Sequence, residues 1–177
     1  MTRAQLEHIL RAAATIAEDD EIVVLGSQSI LGQFPDAPAE LLVSNEVDVY
    51  PLHHQERADL IDGTIGELSP FHDTYGYYAQ GVGPTTAILP PGWEHRVVRV
   101  KNENTRGATG LCLEVHDLLV SKLFAGRPKD IAYARVALAR GLATIDVVRD
   151  RIVSTPTDDA RRGAVLDRLI VASRPSA

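Results

Sequence analysis

The chain has 177 residues, 45% of them hydrophobic, a formal net charge of −6 at pH 7 and a single cysteine. That length can bury one core with a helical appendage, the acidic balance excludes an overall cationic glove for nucleic acid, and one cysteine excludes an intrachain disulfide and a cysteine zinc cluster. No apolar run reaches membrane-spanning length and the charged N-terminal segment does not read as a signal peptide, so a soluble cytoplasmic protein without membrane partners is expected.

Leu6, Ile9, Leu10, Ala13 and Ile16 recur at helical spacing, which predicts an amphipathic helix from about residue 3 to 18. Ile22 to Leu25 reads as a short buried strand, and Ser27 to Gln33 as a helix start capped by Ser27. Pro35 and Pro38 break that helix, and Ala39 to Val43 offers one further turn. Glu46 to Tyr50 alternates as a strand ended by Pro51, and Gln55 to Leu68 reads as a helix interrupted at Gly63 and Gly66. Beyond the aromatic, glycine-bearing stretch Phe71 to Gly83, strands are expected at Thr85 to Leu89, Glu94 to Lys101 and Leu111 to Val115. Asp117 then caps a helix over Leu118 to Phe124, and helices follow over about Lys129 to Arg140, Thr144 to Ile152 and Asp158 to Ala172, with Ser173 to Ala177 as a tail. The order specifies an α/β (α+β) fold: a core of four or five strands over residues 1–115, with a helical C-terminal region, 116–177, packed on it. Cys112, in an apolar run, reads as a small core residue.

Two constellations carry chemistry. In the first, strand Ile22 to Leu25 runs into Gly26-Ser27, and a later strand carries Glu46 and Asp48 at alternate positions. Side chains two apart on a strand share a face, so the carboxylates stand together while Val47 and Val49 face the other way. Two like charges in one place favour a cation between them, and Mg²⁺ suits carboxylate and phosphate oxygens. The Gly-Ser turn offers backbone N–H groups and a hydroxyl to phosphate. The ordinary alternative is an edge strand charged for solubility, with Gly as plain turn chemistry.

The second constellation is Ser121-Lys122 and Arg127-Pro128-Lys129-Asp130. Lys122 lies in an otherwise apolar helix, where a lysine either snorkels to water or faces an anion. Arg127, Lys129 and Arg135 make a basic patch suited to a triphosphate or an RNA backbone; solvated charge pairs at a helix end are the alternative. Among other polar and aromatic residues, His53 and His54 read as exposed, His72 as loop polarity, and Trp93 as a packing anchor. His116 is a weak addition to the second cluster. Tyr75, Tyr77 and Tyr78 offer either base stacking or hairpin packing.

Taken together, these residues resemble a nucleotidyltransferase-like family related to AbiEii-type abortive-infection toxins, within the polymerase-β-type nucleotidyltransferase superfamily, and more closely an uncharacterised bacterial subfamily. The resemblance spans roughly residues 20–142. It is carried by Leu25 to Gly32, Ser44 to Pro51, Tyr75 to Tyr78, Gly81-Val82-Gly83, Leu89 to Trp93, and His116 to Leu123 with Gly126 to Asp130. It implies a minimal nucleotidyltransferase fold, a small mixed sheet with flanking helices. Carried onto this chain, it implies that Gly26 and Ser27 hold the phosphates of a nucleoside triphosphate (NTP) and that Glu46 and Asp48 bind Mg²⁺ or Mn²⁺. It further implies that Lys122, with Arg127 and Lys129, contacts phosphate and that Asp130 matches the later acidic motif. The implied reaction transfers NMP from NTP to an RNA or protein acceptor, and the implied role is a toxin with an antitoxin protein partner.

Three departures stand against this. The first acid is Glu rather than Asp, the turn-to-acid spacing is long, and a third carboxylate has no clear match, Glu94 and Glu114 being the nearest acids. These departures leave two alternatives: a catalytically degenerate fold that binds nucleotide or protein, and a metal-dependent hydrolase or aminoglycoside-type small-molecule nucleotidyltransferase using the same acids.

Overall fold

The computed structural model describes residues 1–174 and is mixed α/β, with five strands and eight helices among them. In chain order these are α1 (Arg3–Ala17), β1 (Glu21–Leu25), α2 (Ile30–Gln33), β2 (Glu46–Pro51), α3 (Ala58–Ile65), α4 (Pro70–Tyr75), β3 (Tyr78–Gly81), β4 (Val98–Val100), β5 (Thr109–Cys112), α5 (Val115–Ala125), α6 (Pro128–Ala139), α7 (Ile145–Ser154) and α8 (Asp159–Ser173). The chain divides into two compact units. The first comprises Met1–Ala87 and Val97–Leu113, and the second Ile88–Arg96 and the chain from Glu114 onward.

The first unit holds the whole sheet, in the order β3-β2-β1-β5-β4. β1 runs antiparallel to β2 and parallel to β5; β3 is parallel to β2 and β4 antiparallel to β5. Alternation assigns the faces. Ile22, Val24, Val47, Val49, Ala79, Gly110 and Cys112 share one face with α1, α2 and α3. Close approaches fix that packing: a Cβ on Gly110 would come within 2.5 Å of a Leu10 methyl, and one on Gly32 within 2.5 Å of Cys112 Cβ. α1 lays Leu6, Ile9, Leu10, Ala13 and Ala17 into this core. It opens on a capping box in which the Thr2 side chain accepts from the Gln5 N–H and the Gln5 side chain accepts from the Thr2 N–H. Glu46 and Asp48 lie on the opposite face of the sheet.

The second unit is helical: α5 packs on α6 and α7, and α8 on α6 and α7. Gly126 ends α5 in the left-handed region (φ 68°), where Arg168 reaches the freed carbonyls of Leu123 and Phe124 at 2.7 and 3.3 Å.

Several local expectations are corrected. Thr85 to Leu89 forms no strand; Pro84–Thr86 is a 3-10 turn, because the β-branched pair sits between Gly83-Pro84 and Pro90-Pro91, where prolines remove ladder donors. β2 does end at Pro51, which is its last residue and pairs with Ile22. The strand expected over Glu94 to Lys101 shrinks to β4, since Trp93–His95 is another 3-10 turn. β5 ends at Cys112, and Val115 already belongs to α5, so the cap is Glu114, whose side chain accepts from the His116 N–H, and not Asp117. Ser27 caps no helix by its side chain; it begins a 3-10 turn, Ser27–Ser29, that leads into α2. Of the expected tail, Ser173 is the last residue of α8, and residues 175–177 lie outside the described residues.

Candidate functional site

In the first unit the structure brings together Gly26, Ser27, Glu46 and Asp48. β1 delivers the turn and β2 the acids, and their register sets Leu25 opposite Asp48. Gly26 has φ 67° and ψ −166°, a backbone state essentially reserved for glycine. A Cβ added there would lie 2.1 Å from Asp48 Oδ2, so the carboxylate rests directly against the turn backbone. Ser29 pins the turn: its Oγ donates to the Gly26 carbonyl at 2.9 Å, and its N–H does so at 3.3 Å. Gln28, fully buried in the same turn, has no partner for either amide atom among the described residues. Upstream of the acids, Ser44 and Glu46 exchange hydrogen bonds (Glu46 N–H to Ser44 Oγ, 3.1 Å; Ser44 Oγ to the Glu46 carbonyl, 3.2 Å), which fixes the entry of β2.

The strand beside the acids is β3, with Tyr78 in register with Glu46 and Gln80 with Asp48. Tyr78 Oη donates to Glu46 Oε2 at 3.0 Å. Burial, together with the hydrogen bond and charge of Glu46 and the charges of Glu67 and Asp48, pushes the phenol up to about 12, so it remains a donor through the neutral range. Gln80 is exposed. The sequence reading missed both contacts, because pairing across the α3–α4 insertion leaves no periodic trace. Tyr77 is not available for stacking on a base: it is buried among His8, Phe71 and Tyr75, with His8 Nδ1 2.8 Å from its hydroxyl.

In the second unit the structure gathers Lys122, Arg127 and Asp130. Asp130 is 1% exposed; Lys122 Nζ donates to its Oδ1 at 3.3 Å, Arg127 Nε to its Oδ2 at 2.6 Å, and Lys122 also lies 4.4 Å over the Tyr133 ring. Burial alone would raise the Asp130 carboxyl, but the Arg127 hydrogen bond and the Lys122 charge outweigh it and hold it below the usual range. Lys122 is thus buried against Asp130 rather than snorkelling. Lys129 stays exposed on the first turn of α6 and, among the described residues, makes no ion pair. Arg135 Nη2 donates to the Val171 carbonyl at 3.4 Å.

A second acid–base network sits at the start of α5. Asp117, fully buried, takes both arms of Arg96 (Nε at 2.9 Å, Nη2 at 3.0 Å) and Arg151 Nη1 at 2.9 Å. Glu114 accepts from Arg151 and, at 2.6 Å, from His116 Nδ1. The Thr144 N–H donates to His116 Nε2 at 2.9 Å, which assigns the ring proton to Nδ1. Burial pushes the Glu114 carboxyl up, but the His116 and Arg151 hydrogen bonds more than reverse it and hold it at about 2. Both acids are engaged in holding these helices.

His53 and His54 follow β2, and their backbone N–H groups both donate to Asp19 Oδ2 (2.7 and 3.1 Å); the His53 ring is exposed with Nε2 3.3 Å from Glu21 Oε2, and His54, half-buried, has Nδ1 3.5 Å from Glu56 Oε1. His72 Nδ1 accepts from the Leu68 N–H at 3.1 Å, a loop-fastening contact. Among the described residues no group of three or more His, Cys, Asp or Glu side chains could hold a metal ion, and no helix is long and apolar enough to cross a membrane.

A model of the family described as "Nucleotidyltransferase of unknown function (DUF6036)" matches residues 4–163. No curated protein and no solved structure matches the chain.

Proposed function

The chain belongs to this family of nucleotidyltransferases of unknown function, and from that premise we propose that it transfers NMP from an NTP to the hydroxyl of an RNA or protein acceptor. The observation that carries the reading is the contact of Gly26 with Asp48: a glycine turn able to receive phosphate lies against a carboxylate able to share a cation with it. Backbone N–H groups at Gly26 and Ser27, with the Ser27 hydroxyl, would hold phosphate oxygens. Glu46 and Asp48 would hold Mg²⁺ or Mn²⁺; their oxygens are the hard donors such ions take, and the phosphates complete the set. When bound, the cation neutralises charge that develops on the phosphate oxygens. Lys122 and Asp130, tied to each other, would serve as a fixed support on the second unit, with Arg127 and Lys129 as the cationic groups nearest them in sequence.

In the reaction the acceptor hydroxyl forms a new ester bond to the α-phosphorus. The bond from that phosphorus to the bridging oxygen breaks, pyrophosphate leaves with the electron pair, and the acceptor proton passes to solvent base. A toxin acting in the cytoplasm and restrained by an antitoxin protein is the biological role consistent with this chemistry and with the AbiEii-like resemblance.

One observation favours a second reading, a catalytically degenerate fold that binds nucleotide or protein. Only two acids line the turn, with no third His, Cys, Asp or Glu to complete a group among the described residues. Calorimetric titration of the four NTPs with Mg²⁺ into wild type and into Glu46→Ala/Asp48→Ala separates the possibilities. Metal-dependent binding lost in the variant supports the site, and radiolabelled NMP transfer to an acceptor then supports catalysis. Binding without transfer supports the degenerate reading, and no binding of any NTP removes the nucleotide site altogether.

A further inference from the structure

Beside α1, the helix that covers the sheet face opposite to Glu46 and Asp48, the first unit carries a cleft of about 420 Å³. Its polar walls are Arg11 and Thr15 of α1, Asp20 just before β1, and Thr105 and Arg106 from the loop that leads into β5. That volume falls in the range of small-molecule sites, about 300–1,000 Å³. The loop is held firmly against α1. Buried Glu7 accepts from the Asn102 and Asn104 side-chain amides at 2.7 and 2.9 Å, and Arg11 Nη1 donates to the Asn104 carbonyl at 2.7 Å. The Asn102 side chain caps the 3-10 turn Glu103–Thr105, and Arg106 closes it in the left-handed region (φ 49°). Two charges in the cleft serve none of this fastening: among the described residues, the Arg106 guanidinium and the Asp20 carboxylate make no hydrogen bond or ion pair.

We propose that this cleft is a ligand site separate from the acids of β2, and that it takes a small phosphate monoester bearing hydroxyl groups, of the sugar-phosphate class. Guanidinium groups match phosphate oxygens with paired N–H donors. A phosphate monoester carries close to two negative charges near neutral pH and can engage both Arg11 and Arg106, whereas a single carboxylate brings one charge. The acceptors complete the match. A carboxylate such as Asp20 takes hydrogen bonds from donors, and Thr15 Oγ, which donates to the Arg11 carbonyl at 3.0 Å, keeps lone pairs for another. Hydroxyl groups on the ligand supply those donors while its phosphate rests on the guanidinium groups; inorganic phosphate is too small to do both. A nucleic-acid strand is a poorer occupant, since exposed Glu18 and Glu103 adjoin the lining segments in the chain and repel a polyanion. With the loop already fastened to α1, binding carries little ordering cost. The site does not depend on the nucleotidyltransferase reading above.

The test is calorimetric titration of ribose 5-phosphate, glucose 6-phosphate and glycerol 3-phosphate into the full chain, with inorganic phosphate, unphosphorylated ribose and a short single-stranded RNA alongside. The expected result is that at least one monoester binds about tenfold tighter than inorganic phosphate and that ribose alone does not bind. Arg106→Ala, at an exposed position, should weaken that monoester by about tenfold. Arg106→Gly, which suits the left-handed backbone and so preserves the turn, should weaken it equally. Asp20→Ala should erase the monoester's advantage over inorganic phosphate, and Glu46→Ala/Asp48→Ala should leave monoester binding unchanged. No monoester tighter than inorganic phosphate, binding unchanged in both Arg106 variants, an advantage that survives Asp20→Ala, or binding lost in Glu46→Ala/Asp48→Ala would each overturn the proposal. RNA that binds tighter than every monoester and depends on Arg106 overturns it in favour of a nucleic-acid surface.

Discussion

Two pairs of carboxylates in this molecule sit in opposite circumstances. Asp117 and Asp130 are buried in the helical unit and saturated by cations: Arg96 and Arg151 on one, Lys122 and Arg127 on the other. Glu46 and Asp48 are only half-buried on a strand, and Glu46 has a neutral phenol for a partner. A buried charge must be compensated by the protein, since removing one partner strands the other. A half-buried carboxylate facing a phenol lacks that compensation and is suited to receive it from outside. On the proposed function, the burial of the acids separates structural roles from chemical ones better than their number does.

The sharpest way to break the comparison is Asp117→Ala. With Arg96 and Arg151 left without their shared carboxylate, unfolding stability should fall by about 3 kcal/mol in urea denaturation; a loss under about 1 kcal/mol would put Asp117 in the same class as Glu46. Next is Gly26→Ala, which forces a side chain into a glycine-only backbone state and into Asp48. It should lower stability by about 2 kcal/mol and abolish nucleotide binding in calorimetry.

A smaller effect comes from acid. Glu114 is held at about 2, below its ordinary 4.5, so its contribution is complete above pH 4.5 and drains away as pH falls toward 2. Glu114→Gln should flatten the stability–pH curve in that window, and an unchanged slope would show that its pairing with Arg151 and His116 adds nothing to folding. The smallest effect on stability is expected for Glu46→Gln, under about 0.5 kcal/mol by urea denaturation, although Mg²⁺-dependent nucleotide binding should vanish. If that variant unfolds as readily as Asp117→Ala, the contrast collapses.

Much of the candidate site was legible along the chain because it is local. Gly26-Ser27 follows an apolar run, and Glu46 and Asp48 alternate with Val47 and Val49, a period-two signal that needs no tertiary knowledge. The positions of Tyr78 and Gln80 were not legible, because parallel pairing of β3 with β2 is set across two intervening helices and no periodicity encodes a partner strand. The Asp117 cap was misplaced for a related reason. Glu114 and Asp117 both suit a helix start by type, and only the end of β5 at Cys112 decides between them. Thr85 to Leu89 had strand composition, but the flanking prolines won. The closeness of Lys122 to Asp130, eight residues away, depends on how α5 meets α6 after Gly126, which a helical wheel cannot show.

Cys112 has a practical consequence. It lies fully buried against α2, and that burial pushes its thiol up to about 12, so almost none of it is the thiolate that alkylating reagents attack. The natural chain therefore arrives silent to maleimide chemistry. A cysteine placed at exposed Lys129 would be the only reactive thiol in the folded protein, so a fluorophore could be attached there without first deleting a native cysteine.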